Sequence, residues 1–365
     1  MTLGDVWLDF DPAALVLTGL DVDDDLAFLA LLALQRRGRL NLVGVSITAG
    51  NAALRDTLAN AKSLLRLAGV KLEPAAGASY RDMHVPWPWV RRLHNVRGDV
   101  ASSSDAAEAM RAAVRARPPR SLTVIALGPL TNVAAALMDA DVAGRVGRVV
   151  SMGGALDGGK LDLNWMSDRA AARAVLASRV PLTVAPVELC AQAAVQPEDV
   201  DRVVDRCCPG AAVCALARAM RRQCAFSRRF VNRGLVARVP DAHAALKSDA
   251  FVPWDVVAVL AVAEPELFGE WREFEVTVPR CASEPCDGTV VVRNGSGVLA
   301  PTRLSSDGVV DALVDLVCDV PAVGPAPGIV GAPVLFGSVA VAVLVPLLLL
   351  RGVVSKFRNF RSKTS

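Results

Sequence analysis

The sequence predicts an α/β protein with an open, mainly parallel sheet flanked by helices, followed by one C-terminal transmembrane helix. Short apolar runs typical of buried strands alternate along the chain with longer stretches typical of helices. With 365 residues, of which 53% are hydrophobic and 21% charged, the chain can bury a sizeable core. Polar residues follow several predicted strands, and a parallel sheet brings such residues to one edge, where ligands bind.

The densest acidic stretch follows the first strand, which is predicted at residues 6–8. Six carboxylates lie between this strand and an apolar helix predicted at residues 26–34: Asp9, Asp11, Asp21, Asp23, Asp24 and Asp25. A helix N-terminus accommodates negative charge at about 0.3–1 kcal/mol per group, but converging carboxylates repel unless they are protonated or bridged by a cation. A divalent cation with oxygen ligands is therefore expected, although acidic runs before helices are also common as solvated caps.

Further strands and helices continue the alternation. Strands are predicted at residues 41–48, 121–127, 148–152 and 180–187, and a closing hairpin at 273–278 and 288–293. Helices are predicted at residues 51–68, from Asp168 onward, within the basic region 197–250 and at 251–260. Asn51 follows the second strand, and glycine-containing turns follow the next two, so these positions are expected at the same edge of the sheet as Asp11.

The chain is predicted to divide into four parts: a main domain at 1–319, a Pro/Gly linker at 320–328, a transmembrane helix at 329–350 and a basic tail at 351–365. Residues 329–350 carry no charge and are long enough, at about 1.5 Å per residue, to cross a hydrocarbon core of ~30 Å. No signal peptide is visible at the N-terminus. We therefore expect a single-pass, tail-anchored protein with its main domain in the cytosol, although the basic tail opposes this orientation through the positive-inside rule.

Charge and cysteine content exclude several classes of protein. The net charge is only +3 and the basic residues concentrate in the tail, so no nucleic-acid surface is expected. The eight cysteines form no CxxC pair, and the chain has only three histidines as further zinc ligands. This predicts reduced structural thiols and no zinc site. A homo-oligomer is left open.

Six motifs occur in the order that the inosine/uridine-preferring nucleoside hydrolase family shows, over residues 5 to about 295. The first two are Asp9-Phe10-Asp11-Pro12 with Asp24-Asp25, which resembles DxDPGxDD, and Ala49-Gly50-Asn51, which resembles AGN. The next two are Gly128 to Asn132, which resembles GPLTN, and Met152-Gly153-Gly154, which resembles MGG. The last two are Asp162-Leu163-Asn164 with Asp168, which resembles EFN followed by DPEAA, and Trp254-Asp255, which stands where the family has His-Asp. The chain resembles this family over its main domain.

The resemblance implies Ca²⁺-dependent hydrolysis of the N-glycosidic bond of ribonucleosides to free base and ribose. It implies that Ca²⁺ is held by Asp11, Asp25, the backbone carbonyl of Leu127 and Asp255. Asp11 would also be the catalytic base that activates water. The ribose would be held by Asp24, Asn51, Met152, Asp162 and Asn164.

Three departures from the family pattern affect the site. Residues 13–23 intervene where the family has two residues, and Asp162 replaces a glutamate. Trp254 replaces the histidine that protonates the leaving group in the pyrimidine-accepting branch. We therefore expect a preference for purines, with Trp254 stacking on the base at about 1–3 kcal/mol and His94 assisting. The alternative is that Trp254 packs into the core.

Two other functions compete with hydrolysis. Asp9-Phe10-Asp11 also resembles the motif of a Mg²⁺-dependent haloacid-dehalogenase-like phosphotransferase, but that motif needs Thr or Val where this chain has Ala13. A membrane-tethered, non-catalytic binding protein on a decayed hydrolase fold is the second alternative. Ca²⁺-dependent release of base from nucleosides discriminates among the three.

Overall fold

The structure is a computed structural model, and it describes residues 2–14, 22–79, 105–156, 162–207, 211–226, 250–280 and 291–320. Nine strands lie in these ranges: β1 (Asp5–Phe10), β2 (Asn41–Ile47), β3 (Ala75–Ala76), β4 (Leu122–Ala126), β5 (Val146–Met152), β6 (Leu182–Ala185), β7 (Phe268–Thr277), β8 (Val291–Asn294) and β9 (Val298–Leu304). They form one sheet in the order β3-β2-β1-β4-β5-β6-β9-β7-β8. Strands from β3 through β9 in this order pair in parallel, whereas β7 pairs antiparallel with β8 and β9. The predicted mainly parallel sheet is confirmed.

Helices flank both faces of the sheet. Within the described ranges they are α1 (Asp23–Arg36), α2 (Leu54–Leu67), α3 (Asp105–Arg115), α4 (Thr131–Leu137), α5 (Ala140–Arg145), α6 (Leu163–Ser167), α7 (Arg169–Ala177), α8 (Val187–Cys190), α9 (Pro197–Cys207), α10 (Ala211–Phe226), α11 (Trp254–Ala263) and α12 (Ser306–Cys318). One apolar core lies under α1, α2 and α11, and a second lies under α3, α4 and α7. This is the layered arrangement expected of alternating strands and helices.

Strand β1 runs through the centre of the sheet and contributes side chains to both apolar cores. Val6 and Leu8 point to the first core and Trp7 to the second, because side chains alternate along a strand. The strand continues to Phe10, two residues beyond its predicted end. Asp9 therefore lies inside the strand, facing the second core with Trp7, and only Asp11 follows the strand.

Helix α1 is apolar on every side because it is enclosed by protein. It packs against α11 and α12 as well as against β2. All its residues from Asp23 to Leu34 are buried, including the three carboxylates of its first turn. The prediction that the acidic run opens this helix is confirmed.

Strand β9 was not predicted from the sequence, and it contains Pro301, which lacks the N–H that a central strand needs. Pro301 lies beyond the part of β9 that pairs with β6, so its missing N–H removes no hydrogen bond to that strand. Only Val298 and Leu299 of β9 pair with β6, whereas Pro301 lies opposite Trp271 of β7. The predicted hairpin of β7 and β8 is present, and β9 joins it to the parallel part of the sheet.

The prediction of reduced thiols is wrong for Cys207 and Cys318, which form a disulfide with Cα atoms 4.9 Å apart. Cys214 is also disulfide-bonded, whereas Cys190 and Cys224 are free and buried. The Cys207–Cys318 bond joins the ends of α9 and α12, which are 111 residues apart in sequence. Sequence spacing could not show that these two helix ends meet.

The predicted transmembrane helix at 329–350, together with the linker and the tail, lies outside the described residues. Among the helices that the structure does describe, none combines the length and the apolar character needed to cross a membrane. The membrane span and its orientation stay predictions.

Candidate active site

The predicted site residues gather at the carboxyl edge of the sheet. Asp11 follows β1, Asn51 follows β2 and Leu127 follows β4. Backbone bonds hold these strand ends in line: the amide of Thr48 donates to the carbonyl of Phe10 at 3.2 Å, and the amide of Leu127 donates to that of Asp9 at 2.8 Å. The sheet topology therefore brings together residues from separate parts of the sequence.

The Asp11 carboxylate is buried with one oxygen held and the other open. Its Oδ2 accepts the backbone N–H of Asn51 at 2.5 Å, while Oδ1 has no hydrogen-bond partner. A Cβ atom added at Gly50 or Gly128 would collide with this carboxylate. Both glycines are thus required for the close approach of the backbone to Asp11, and Oδ1 is the oxygen of this acid that accepts no hydrogen bond.

Asp24 lies between Asp11 and Asp255. Its Oδ1 accepts the backbone N–H of Asp11 at 3.2 Å, and its Oδ2 accepts the amide of Asn51 at 2.8 Å. Carboxylate oxygens of Asp23, Asp24 and Asp255 all lie within 4.8 Å of one another. This buried group, drawn from α1 and α11, has the donor chemistry of a site for a hard divalent cation.

Asp25, which the sequence analysis assigned to the cation, is not a member of that group. Its Oδ1 accepts the side-chain amide of Asn60 at 2.9 Å, and its Oδ2 accepts the backbone N–H of Ala14 at 3.3 Å. Successive side chains on a helix point about 100° apart, so Asp25 faces α2 when Asp24 faces Asp255. Asp25 therefore stands apart from the three clustered carboxylates in this structure, and its assignment to the cation stays a prediction.

Burial makes these carboxylates difficult to ionise. It raises the pKa of Asp9 and Asp25 to about 7 and, with repulsion from Asp23 and Asp9, raises that of Asp11 to about 8. The pKa of Asp24 is raised well above its usual value by burial and then by the charge of Asp255. Within the described chain, the hydrogen-bond donors to these four acids are all neutral. The site therefore needs protons or a cation, which fits the open oxygen of Asp11.

Ser46 and Asn132 position Asp9, and sequence reasoning gave them no role. The Ser46 hydroxyl donates to Asp9 Oδ1 at 2.5 Å and receives the Trp7 indole N–H at 2.8 Å. The Asn132 amide donates to the same oxygen at 2.9 Å and accepts the backbone N–H of Ala78 at 2.8 Å. A polar residue in an apolar strand, as Ser46 is in β2, was the available signal.

Asn164 and Met152 stand beside the Leu127 carbonyl. The Asn164 amide donates to that carbonyl at 2.6 Å and lies 3.4 Å from the Met152 sulfur. Asp162 also makes backbone contacts beside this carbonyl. Its carboxylate caps α6 by accepting the N–H of Asn164 at 2.7 Å, and it also accepts the N–H of Gly154. Its predicted contact with ribose stays a prediction.

Trp254 opens α11 and is partly buried against the first core. Its backbone carbonyl accepts the thiol of Cys190 at 3.6 Å. These contacts agree with the packing alternative for this side chain, and a partly exposed ring remains at the residue before Asp255. His94, the predicted helper, lies outside the described residues.

Comparison with known proteins places the chain in a family. Residues 6–314 match the family described as "Inosine-uridine preferring nucleoside hydrolase". The chain belongs to this family. The haloacid-dehalogenase alternative is thereby excluded, and the family assigned from the six motifs is confirmed.

Several nucleoside hydrolases are similar to this family member. "Pyrimidine-specific ribonucleoside hydrolase RihA" of Shewanella sp. (strain MR-7) is 29% identical over 202 residues, which cover 50% of this chain and 60% of that protein. "Uridine nucleosidase 1" of Arabidopsis thaliana is 30% identical over 195 residues, covering 49% and 57%. The chain thus spans less than two thirds of these relatives.

Solved structures share the fold over a longer stretch. "Purine-Preferring Ribonucleoside Hydrolase from Gardnerella vaginalis" has a TM-score of 0.69 at 19% identity, covering 87% of this chain and 98% of that one. "Plant nucleoside hydrolase - PpNRh1 enzyme" has a TM-score of 0.66 at 20% identity, covering 86% and 98%. At these identities the likeness shows the fold alone.

Proposed function

We propose that the protein hydrolyses the N-glycosidic bond of ribonucleosides to free base and ribose in a Ca²⁺-dependent reaction. The observation that carries the proposal concerns Oδ1 of Asp11. This buried oxygen has no hydrogen-bond partner and lies beside the group formed by Asp23, Asp24 and Asp255. Family membership supports the same reaction.

Four groups would hold the cation: the carboxylates of Asp11, Asp24 and Asp255 and the backbone carbonyl of Leu127. All are oxygen donors, which Ca²⁺ prefers, and the carbonyl retains a second lone pair beside its bond to Asn164. A bound cation would neutralise the buried charges and increase the acidity of the attacking water.

Asp11 is the proposed general base. Its Oδ2 is fixed by the N–H of Asn51, so the carboxylate cannot rotate freely and Oδ1 is left without a hydrogen-bond donor. Water placed against Oδ1 would lose its proton to that atom as it attacks the anomeric carbon. The remaining carboxylates would stabilise the positive charge that develops on the ribose ring.

The ribose would contact Asn51, Asn164 and Met152, which line the same edge as Asp11. We assign the additional acceptor for a ribose hydroxyl to Asp23. It is 5% exposed, compared with 1% for Asp24, so it is the more accessible of the two to substrate. Asp24, which the sequence analysis assigned to ribose, is then a proposed ligand of the cation.

We propose a preference for purine ribonucleosides. Trp254 before Asp255 supports it, because tryptophan can stack on a purine but cannot protonate a pyrimidine leaving group. The name of the Shewanella relative, which is pyrimidine-specific, argues for the opposite preference. Comparing kcat/KM for inosine and uridine, in the wild type and in Trp254→Ala, decides between them. A better kcat/KM for uridine, or an equal loss for both substrates in the variant, would reject stacking as the cause.

The test of the activity is release of base and reducing sugar by the purified protein, with Ca²⁺ and with a chelator. We expect release from at least one ribonucleoside only with Ca²⁺, and a loss of about 10³-fold or more in Asp11→Asn. Nucleoside binding without release, in protein loaded with Ca²⁺, would instead favour the non-catalytic binding protein.

A further inference from the structure

A cavity lies at the amino edge of the sheet, opposite the edge that holds the candidate active site. It is found beside the first residue of β5 and between the turns that lead into β4 and β6. Its volume is about 420 Å³, within the range of about 300–1,000 Å³ that small-molecule sites occupy. None of the candidate active-site residues lines this cavity.

Two arginines line the cavity, and none of its lining residues is acidic. Arg120 and Arg179 are exposed, and neither forms an ion pair with any residue that the structure describes. The acids nearest in sequence, Asp139 and Asp141, pair with Arg115 instead. The described residues therefore leave the cavity with two positive charges, and guanidinium groups are well suited to hold a carboxylate or a phosphate.

Both arginines have an unusual backbone conformation. The φ angle is 63° at Arg120 and 58° at Arg179, in the left-handed region. Glu270 is the one other non-glycine residue of the described ranges with a positive φ. This conformation costs free energy that glycine would avoid, and such strain persists where the surrounding structure or a functional site maintains it. Two of these three strained residues line the same cavity.

The turns that carry the two arginines are fixed by other contacts. The carbonyl of Arg120 packs so tightly on β5 that a Cβ atom added at Gly147 would lie 2.6 Å from its oxygen. The turn at Arg179 is closed by its two neighbours, because the hydroxyl of Ser178 accepts the N–H of Val180 at 3.4 Å. The arginines thus extend from ordered points that flank the start of β5, which reduces the ordering cost of binding a ligand.

The other walls of the cavity are mainly apolar. Leu137, Val146 and Val180 are buried in them, whereas Met138, which also lines the cavity, is 84% exposed. Among the residues that the structure describes, no other large apolar side chain is as exposed. Methionine is flexible and adapts to apolar surfaces of different shapes. A ligand that fills this cavity therefore needs an apolar body as well as an anionic group.

We propose that the cavity binds a small organic anion. Arg120 and Arg179 hold its carboxylate or phosphate group, and its apolar body packs against Met138. This site is separate from the candidate active site, because Arg120 precedes β4 whereas Leu127 follows the other end of that strand. The inference is independent of the proposed function, since hydrolysis uses none of the residues that line the cavity.

The experiment follows the methyl signals of methionine by NMR in the full-length protein, isotope-labelled at those groups. The probes are phenyl phosphate, benzoate and inorganic phosphate, and the variants Met138→Leu and Met152→Leu assign the two signals that matter. We expect phenyl phosphate or benzoate to shift the Met138 signal saturably while the Met152 signal, at the active-site edge, stays in place. The Kd should be about 1 mM or lower, the range expected of so small a ligand. The tighter of the two organic probes identifies the anionic group.

Variants of the arginines test their role. Arg120→Gln and Arg179→Gln should each weaken binding about 10-fold, as expected for a charge-assisted hydrogen bond at a partly exposed site. The matched control is Arg66→Gln, which removes an exposed arginine from the last turn of α2 and should leave the Kd unchanged. Arg179→Gly removes the guanidinium and relieves the backbone strain, so it should weaken binding while melting at the wild-type temperature or above.

Four results would overturn the inference. They are a Met138 signal that no probe shifts saturably, inorganic phosphate that binds as tightly as both organic anions, full binding by Arg179→Gly, and a loss in Arg66→Gln equal to that in the cavity variants. The last would reduce the effect to general surface charge. Nucleoside hydrolysis is measured separately, so a protein that binds the probes as expected and cleaves no nucleoside would reject the proposed function alone.

Discussion

Removal of divalent cations should make the protein less stable as the pH rises from 5 to 8. Burial raises the pKa of Asp11 to about 8 and that of Asp9 and Asp25 to about 7, compared with 3.8 for the ordinary group. In this pH range the folded state holds protons that the unfolded state has already released. The stability that these protons provide is complete below pH 3.8 and is lost as the pH rises through the folded pKa values.

Asp11 alone sets the scale of the effect. Its pKa is raised by about four units, and each unit corresponds to about 1.36 kcal/mol, so roughly 6 kcal/mol of unfolding free energy is lost by pH 8. Within the range, each such group contributes a slope of about −1.4 kcal/mol per pH unit. Surface acids such as Asp315, whose pKa is lowered by Arg37 and Arg206, release their protons below this range and leave the slope unchanged.

Ca²⁺ should reverse the trend because it replaces the protons as the counter-charge. At pH 8 it binds carboxylates that have mostly lost their protons, whereas at pH 5 it must displace them. A concentration 1,000 times the Kd stabilises the folded state by about 4.1 kcal/mol. Urea unfolding at pH 5, 6, 7 and 8, with a chelator or with Ca²⁺, measures both effects. The difference between the two conditions should increase with pH and be absent in Asp24→Asn.

Two results would refute this reasoning. Stability in chelator that is constant or increases between pH 5 and 8 would show that these carboxylates are ionised without a cation. An equal gain from Ca²⁺ at pH 5 and pH 8 would place the ion at a surface site with ordinary pKa values.

Three further variants test other contacts. Gly50→Ala should lower kcat/KM by at least about 10²-fold because its Cβ collides with Asp11, and an active variant would show that the backbone yields there. Cys207→Ser should reduce the free energy of unfolding by roughly 2–5 kcal/mol through loss of the bond to Cys318, and unfolding unaffected by the change or by reductant would contradict it. Asn132→Leu should cost roughly 1–3 kcal/mol by leaving buried acceptors unpaired, with normal stability as the contrary result.

The sequence by itself determined the class of the fold and the edge of the sheet where the site lies. Apolar runs of strand length alternating with helical stretches predict a parallel sheet, and parallel strands bring residues after β1, β2 and β4 to one edge. The motifs around Asp11, Asn51 and Leu127 therefore indicated the site before any coordinates. The six motifs in order also indicated the family that the comparison confirmed.

The tertiary structure decided which neighbours each residue of the acidic run contacts. Asp24 and Asp25 are adjacent and chemically identical, so no local pattern tells which of them faces Asp255 and which faces Asn60. The rotation of α1 about its axis tells them apart, and packing against α11 and α12 sets that rotation. The local sequence around Asp162 is likewise insufficient to predict its contacts. The cap that Asp162 forms depends on where α6 begins relative to Gly154.

Tertiary packing also decided features that depend on residues far apart in the chain. Cys207 meets Cys318 because α9 packs against α12, and Pro301 is tolerated because the pairing of β9 with β6 ends before it. Spacing in the sequence carries no information about such meetings, since they follow from the joint packing of whole helices and strands. The sequence could specify the chemistry available at the edge of the sheet, and only the packed chain could assign each carboxylate its neighbour.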